Sequence, residues 1–252
     1  WSDDLHVVDS GSTDRTLAIC RQFTSRIHQR AFHPESAQYN WILENVPFRH
    51  PWLLVVDADE TVPPALREEI LGAVAAAPAE LDAFYVGFRV YFLGRWIQRS
   101  TLYGSTLLLR LFRHRQVRYE QRPINPHPIV RGRFGKLQND LVHHNHNGLT
   151  RLVAKYNRYA TMEAEQTLRL LRGDAETGLR ARPGGNPSER RRWLKQVFMG
   201  LPLRPLLKSF YLYVLMRGFL DGAPGLLWCA LMGMQEFLVT AKVGARKRGL
   251  PI

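Results

Sequence analysis

Trp52-Leu53-Leu54-Val55-Val56-Asp57-Ala58-Asp59-Glu60 opens on five apolar residues and closes on three carboxylates. A continuous apolar run of this length predicts a strand buried on both faces, and the acids mark where the chain leaves the interior. Residues 5–9 (LHVVD) repeat the pattern upstream, and Gly11-Ser12-Thr13-Asp14 supplies a turn and an N-cap for a helix reaching about Ser25. A second strand is expected over residues 27–31 and a helix over 35–45. Pro63-Pro64 then opens a helix through Ala77, because the first helical turn tolerates a missing N–H. This strand–helix alternation predicts an α/β fold with a mixed, mostly parallel sheet covered by helices on both faces. Ligands in such sheets bind beyond the carboxyl ends of the strands, where Asp9 and Asp57 fall.

From Asp82 the pattern turns to strands, over 83–93 and 106–112, with shorter ones near Val117 and Ile129. After Gly148 it becomes helical: Leu152, Tyr156, Ala160, Ala164 and Leu168 mark one face at a spacing of four. Residues 173–188 (GDAETGLRARPGGNPS) have the composition of a linker. Two apolar segments follow, 201–219 and 224–243; Arg204 and Lys208 interrupt the first and Gln235-Glu236 the second, so neither is a clean membrane span. The 252 residues are 45% hydrophobic and 23% charged, a globular composition that excludes disordered and collagen-like classes. Cys20 and Cys229 are too few and too far apart for the framework of a small secreted protein, which points to a reducing compartment. The formal charge of +13 is uneven: residues 1–150 hold 17 basic and 15 acidic side chains, residues 151–252 hold 18 and 7. A tail so basic suits an anionic partner.

Asp57 and Asp59, one residue apart at a strand end, can aim at one hard cation such as Mg²⁺ or Mn²⁺, which would neutralise a diphosphate leaving group. The pair stands beside VVDSGSTDRT (residues 7–16), AQYNWILE (37–44), LRLFRH (109–114) and GFLDGAPG (218–225). Together with LLVVDADE (53–60), these motifs resemble the family 2 glycosyltransferases, in the branch that builds bacterial lipopolysaccharide core and exopolysaccharide. The resemblance implies the GT-A fold and transfer, with inversion, from a nucleotide-diphosphate sugar, UDP-linked, to a lipid-linked saccharide. It implies a catalytic domain over residues 1–147, lacking the family's first strand and helix, and a helical membrane-associating extension over 148–252. Position by position, it implies that Asp9 with Ser10 meets the nucleobase, that Asp57 faces the ribose or the metal, that Asn40 borders the donor, and that Asp59 is the principal metal ligand. His143, best matched to the family's single histidine here, would complete the metal shell; His144 and His146, two apart on an extended segment, form the alternative face.

Two positions depart from the family pattern. Tyr39 stands where relatives carry Lys or Arg, so Arg15 or Arg110 would neutralise phosphate. The usual His-Glu pair is missing around Ile124-Asn125-Pro126-His127-Pro128, which leaves the base to Asp140, His127 or Glu120, with Asp140 first because a carboxylate stays basic in a crowded phosphate site. Asp57-Ala58-Asp59-Glu60-Thr61 also fits the first motif of haloacid-dehalogenase-like phosphatases with Asp57 as nucleophile, but no later apolar run ends in their acidic pair. A binding or scaffold fragment without catalysis is the other alternative. The C-terminal segments are too apolar for nucleic acid and suit an anionic membrane surface. The expectation is a cytoplasmic enzyme, peripheral on the inner membrane.

Overall fold

The computed structural model describes residues 1–31, 34–100, 107–121, 126–144, 148–171, 181–185, 187–199 and 203–252. Strand β1 (Val7–Asp9) pairs in parallel with β2 (Ile27–Gln29), with α1 (Thr16–Cys20) between them. Helix α1 stops short of Ser25 because its last turn tightens, the Gln22 and Phe23 N–H groups reaching back only three residues to the Ile19 and Cys20 carbonyls, and the Thr24 hydroxyl donates to Leu5 O at 2.8 Å. Asp14 accepts the Thr16 N–H at 2.9 Å, which ties down the turn before α1.

Helix α2 (Glu35–Asn45), β3 (Trp52–Leu54), β4 (Glu60–Thr61) and α3 (Pro64–Ala76) follow, then β5 (Leu81–Phe92), β6 (Arg95–Ile97), β7 (Leu108–Arg113), β8 (Val117–Tyr119), β9 (Pro128–Val130) and β10 (Arg133–His144). The main sheet runs β3-β7-β5-β10-β4, with β6 on β5; β8 and β9 form a separate pair. The fold is the mixed α/β type expected, but the parallel share is smaller: β5–β10 is parallel, and every other pairing in this sheet is antiparallel. The reason is local. Among the described residues between α3 and β10 no α-helix crosses over, and Leu93 (φ +49°) with Gly94 (φ +76°) turns β5 straight back into β6, a hairpin that can only be antiparallel.

Strand β5 alternates Phe84, Val86 and Phe88 toward α3, where Leu66 and Ile70 are buried, with Ala83 and Tyr85 toward α2, where Tyr39 and Leu43 pack. The sheet is thus covered on both faces, which is why the strand reads as an unbroken apolar run.

Helices α4 (Gly148–Leu171), α5 (Pro187–Met199), α6 (Arg204–Phe210), a π-helical turn (Tyr211–Leu215), a 3₁₀ turn (Gly218–Asp221) and α7 (Gly222–Lys247) complete the chain. Most of the expected linker, and His146, lie outside the described residues. Leu152 of α4 and Trp228, Cys229 and Met232 of α7 bury themselves with Val90 and Phe92 of β5 and Ile97 of β6, so the helical extension shares a core with the sheet. Asp221 fastens it further: its carboxylate accepts the N–H groups of Gln98, Arg99 and Ser100 at 3.2, 2.9 and 2.7 Å and the Ser100 hydroxyl at 2.6 Å. Glycine is required beside this knot, since a Cβ on Gly218 would lie 2.8 Å from Ser100 Cβ and one on Gly225 would lie 2.5 Å from Gly218 O.

Candidate active site

Asp57 leaves the sheet just past β3, and Glu60 doubles back to hold it. The Glu60 N–H donates to Asp57 O, and Glu60 Oε2 accepts the Asp57 N–H, both at 2.9 Å. Arg110, on the adjacent strand β7, donates from one Nη to Asp57 Oδ2 at 2.6 Å and to Glu60 Oε1 at 2.7 Å. The Tyr39 hydroxyl of α2 donates to Asp57 Oδ1 at 3.1 Å. Burial resists ionisation of both carboxyls. At Asp57 the guanidinium overcomes it and lowers the pKa, whereas Glu60, buried and facing the Asp57 charge, is pushed up to about 7. Arg110 is therefore occupied by carboxylates, and Tyr39 acts as a neutral donor where a second cation was expected.

Asp59 faces the other way. Strand β4 lies antiparallel to the end of β10 with Glu60 opposite His143, and the His144 N–H donates to Asp59 O at 2.9 Å. This brings Asp59 Oδ1 to 3.5 Å from His143 Nδ1 and Asp59 Oδ2 to 3.9 Å from Lys155 Nζ on α4. Burial lowers the His143 pKa, with Asp59 opposing, which favours the neutral imidazole. A carboxylate and a neutral imidazole are donors that suit Mn²⁺ or Mg²⁺. No group of three or more His, Cys, Asp or Glu among the described residues converges on one point. Asp57 is a poor metal ligand, because Arg110 sets a fixed positive charge 2.6 Å from its Oδ2 while Tyr39 donates to Oδ1.

The Tyr39 ring stacks on Tyr119 of β8 at 4.4 Å, and the next residue is Glu120. Glu120 Oε1 accepts from His127 N–H at 3.1 Å, lies 2.8 Å from His127 Nδ1 and accepts from Arg192 of α5 at 2.6 Å. Two of the three base candidates, Glu120 and His127, are thus members of one buried cluster. Burial opposes the Glu120 charge, but His127 and Arg192 outweigh it and hold the carboxyl down to about 2.

Asp140 does not join them. The β10 register against β5 is regular from Asp140 to His143, so these two side chains, three residues apart, point to opposite faces. Asp140 is instead paired with Arg89 at 3.1 Å. Asn40 is corrected as well: it is buried in α2, and its amide donates to Tyr119 O at 2.9 Å and accepts Tyr119 N–H at 2.8 Å, which positions β8 and turns the side chain into the interior. The Asp9 carboxylate accepts the Gly11 and Ser12 N–H groups and the Ser12 hydroxyl, so it shapes the loop after β1; its pKa is lowered chiefly by Ser12. Ser10 is exposed, 3.5 Å from Gln38 Nε2, so α2 bridges the two strand ends through adjacent side chains, Gln38 toward Ser10 and Tyr39 toward Asp57.

Lys155 and Arg192 escaped the sequence reading. Lys155 sits next to the apolar positions of α4 and four residues before Tyr159, over whose ring it lies at 5.7 Å, a pairing visible as i, i+4 spacing. Arg192 looks like one of a solvated basic run, Arg190–Arg192, and nothing local distinguishes it.

A family model described as Glycosyl transferase family 2 matches residues 2–160. The chain is also similar to the lipopolysaccharide core biosynthesis glycosyltransferase LpsC of Rhizobium meliloti (strain 1021), 28% identical over 170 residues. That match covers 65% of this chain and 62% of LpsC, so the chain spans less than two thirds of that relative. The family match ends within α4 and leaves the rest of the helical extension outside it.

Proposed function

The chain belongs to glycosyl transferase family 2, and from that premise we propose that it moves a sugar from a nucleotide-diphosphate donor, UDP-linked, to a lipid-linked saccharide in lipopolysaccharide or exopolysaccharide assembly. The reaction would run with inversion, on the cytoplasmic face of the inner membrane. The observation that carries the reading is the meeting of Asp59, His143 and Lys155 beside the Asp57–Tyr39–Arg110 network, at the end of a strand.

Asp59 and His143 would hold Mg²⁺ or Mn²⁺, and the ion, when bound, supplies charge neutralisation of the leaving diphosphate. Lys155 adds a second positive charge on the same side. Asp57, kept ionised by Arg110 and oriented by Tyr39, presents its edge to the donor's ribose. His127 would take the acceptor hydroxyl's proton, with Glu120, itself ionised and held by Arg192, orienting the ring from 2.8 Å. Asp140, ion-paired with Arg89 on the face of β10 away from His143, is the alternative base.

The test is isothermal titration of several nucleoside diphosphates with Mn²⁺, followed by transfer assays with Asp59→Ala. The substitution should abolish metal-dependent transfer while leaving the circular dichroism spectrum unchanged. Full transfer by that variant would remove the metal assignment, and absence of binding by every nucleotide would remove the enzymatic reading.

A further inference from the structure

The charges that interrupt the two apolar C-terminal segments meet inside the molecule. Arg204 donates to Glu236 Oε2 at 2.6 Å and Lys208 Nζ to Glu236 Oε1 at 2.8 Å, with Arg204 and Glu236 both buried. The opposite side is apolar. Leu203, Leu206, Leu207, Phe210, Tyr211 and Val214 recur at spacings of one, three and four through α6 and the π turn, and each is 39–70% exposed. Beyond them Arg217 takes a left-handed conformation (φ +59°), and the bend presents Phe219 and Leu220. This inverts the arrangement of a soluble helix pair, which keeps ions outside and leucines in.

We propose that α6, the π turn and the bend through Asp221 form a wedge that seats in the hydrocarbon–headgroup boundary of a lipid bilayer, held by apolar burial. The proposal deepens the membrane-side reading given above and rests on it. Charge selects the occupant. From residue 203 to 252 the acidic residues are Asp221 and Glu236, both buried, while Arg217 and Arg246–Arg248 are exposed. A second copy of this surface would set cations against cations, whereas an anionic leaflet would neutralise them. Helix α7 is long and apolar enough to cross a bilayer by length and composition, but one of its faces is committed to the core shared with α4 and the sheet. The wedge therefore lies in the interface and does not span it.

The test is flotation of the full chain with zwitterionic and with anionic vesicles, at low and high salt. The chain should float with both and stay attached at high salt. Leu206→Ser, Phe210→Ser, Leu215→Ser and Phe219→Ser combined should reduce binding at least a hundredfold while leaving nucleotide binding unchanged. Arg246→Gln with Arg248→Gln should weaken binding to anionic vesicles alone. Failure of the parent chain to float, complete release by salt, or a solution dimer that the fourfold variant dissociates would each overturn the wedge. A chain that binds nucleotide but not vesicles sinks the wedge alone; one that binds vesicles but no nucleotide sinks the transferase reading alone.

Discussion

At Glu120, burial pulls against two partners, Arg192 and His127, and the partners win. Folding moves the carboxyl from its ordinary 4.5 to about 2, so its contribution to stability is complete above the ordinary value and is lost as pH falls through the folded one. The contribution is on the order of 3 kcal/mol. Glu120→Gln should flatten the dependence of stability on pH between about 4.5 and 2, read from urea midpoints across that window; an unchanged slope would mean that Arg192 and His127 do not act through this charge. What could be read from sequence is position: Asp57 and Asp59 stand where the chain leaves the sheet, between β3 and β4. Orientation could not, because a motif position and a residue type say nothing of which way a side chain points. Asn40 turns inward to Tyr119, and Asp140 is one strand residue out of phase with Leu141 and His143.

Among the elements, β10 is the one the pattern concealed. Its sequence, RFGKLQNDLVHH, buries only Leu137 and Leu141, and Gln138, Asn139 and Asp140 interrupt any alternation. The interruption is a bulge against β5, and α3 repairs it: Glu69 accepts the Gln138 and Asn139 N–H groups at 2.6 and 2.8 Å and the Asn139 amide at 2.8 Å. That repair comes from an element some seventy residues upstream, so no local reading could supply it. Glu69→Ala should cost about 1 to 2 kcal/mol, the group being partly solvated, with the urea midpoint lowered and the slope unchanged. By contrast β3, α3 and β5 were legible, because strands and helices packed on both sides of a sheet carry unbroken apolar runs and proline-marked starts. In α6 and α7 the sequence displayed Arg204, Lys208 and Glu236 as interruptions, and only their pairing shows why both segments tolerate them.

For the whole molecule, the formal charge of +13 divides between a nearly neutral sheet domain and a basic helical part in which Asp221 and Glu236 are engaged internally. The shared core of Val90, Ile97, Trp228 and Met232, with the Asp221 knot on Ser100, makes the two parts one cooperative body. Gly225→Ala, forced against Gly218 O, should destabilise that body by about 1 to 3 kcal/mol in a single thermal transition. A second, separate transition in calorimetry would show that the extension melts alone.

The parallel β5–β10 ladder has a consequence for biosynthesis. Its partners stand about fifty residues apart in the chain, so the sheet cannot close until the ribosome has released His144. Everything from α4 onward is made later. The oily stripe on α6 therefore emerges before α7, the helix that receives its inner side through Glu236, and both of its faces stay open to aggregation until α7 is made.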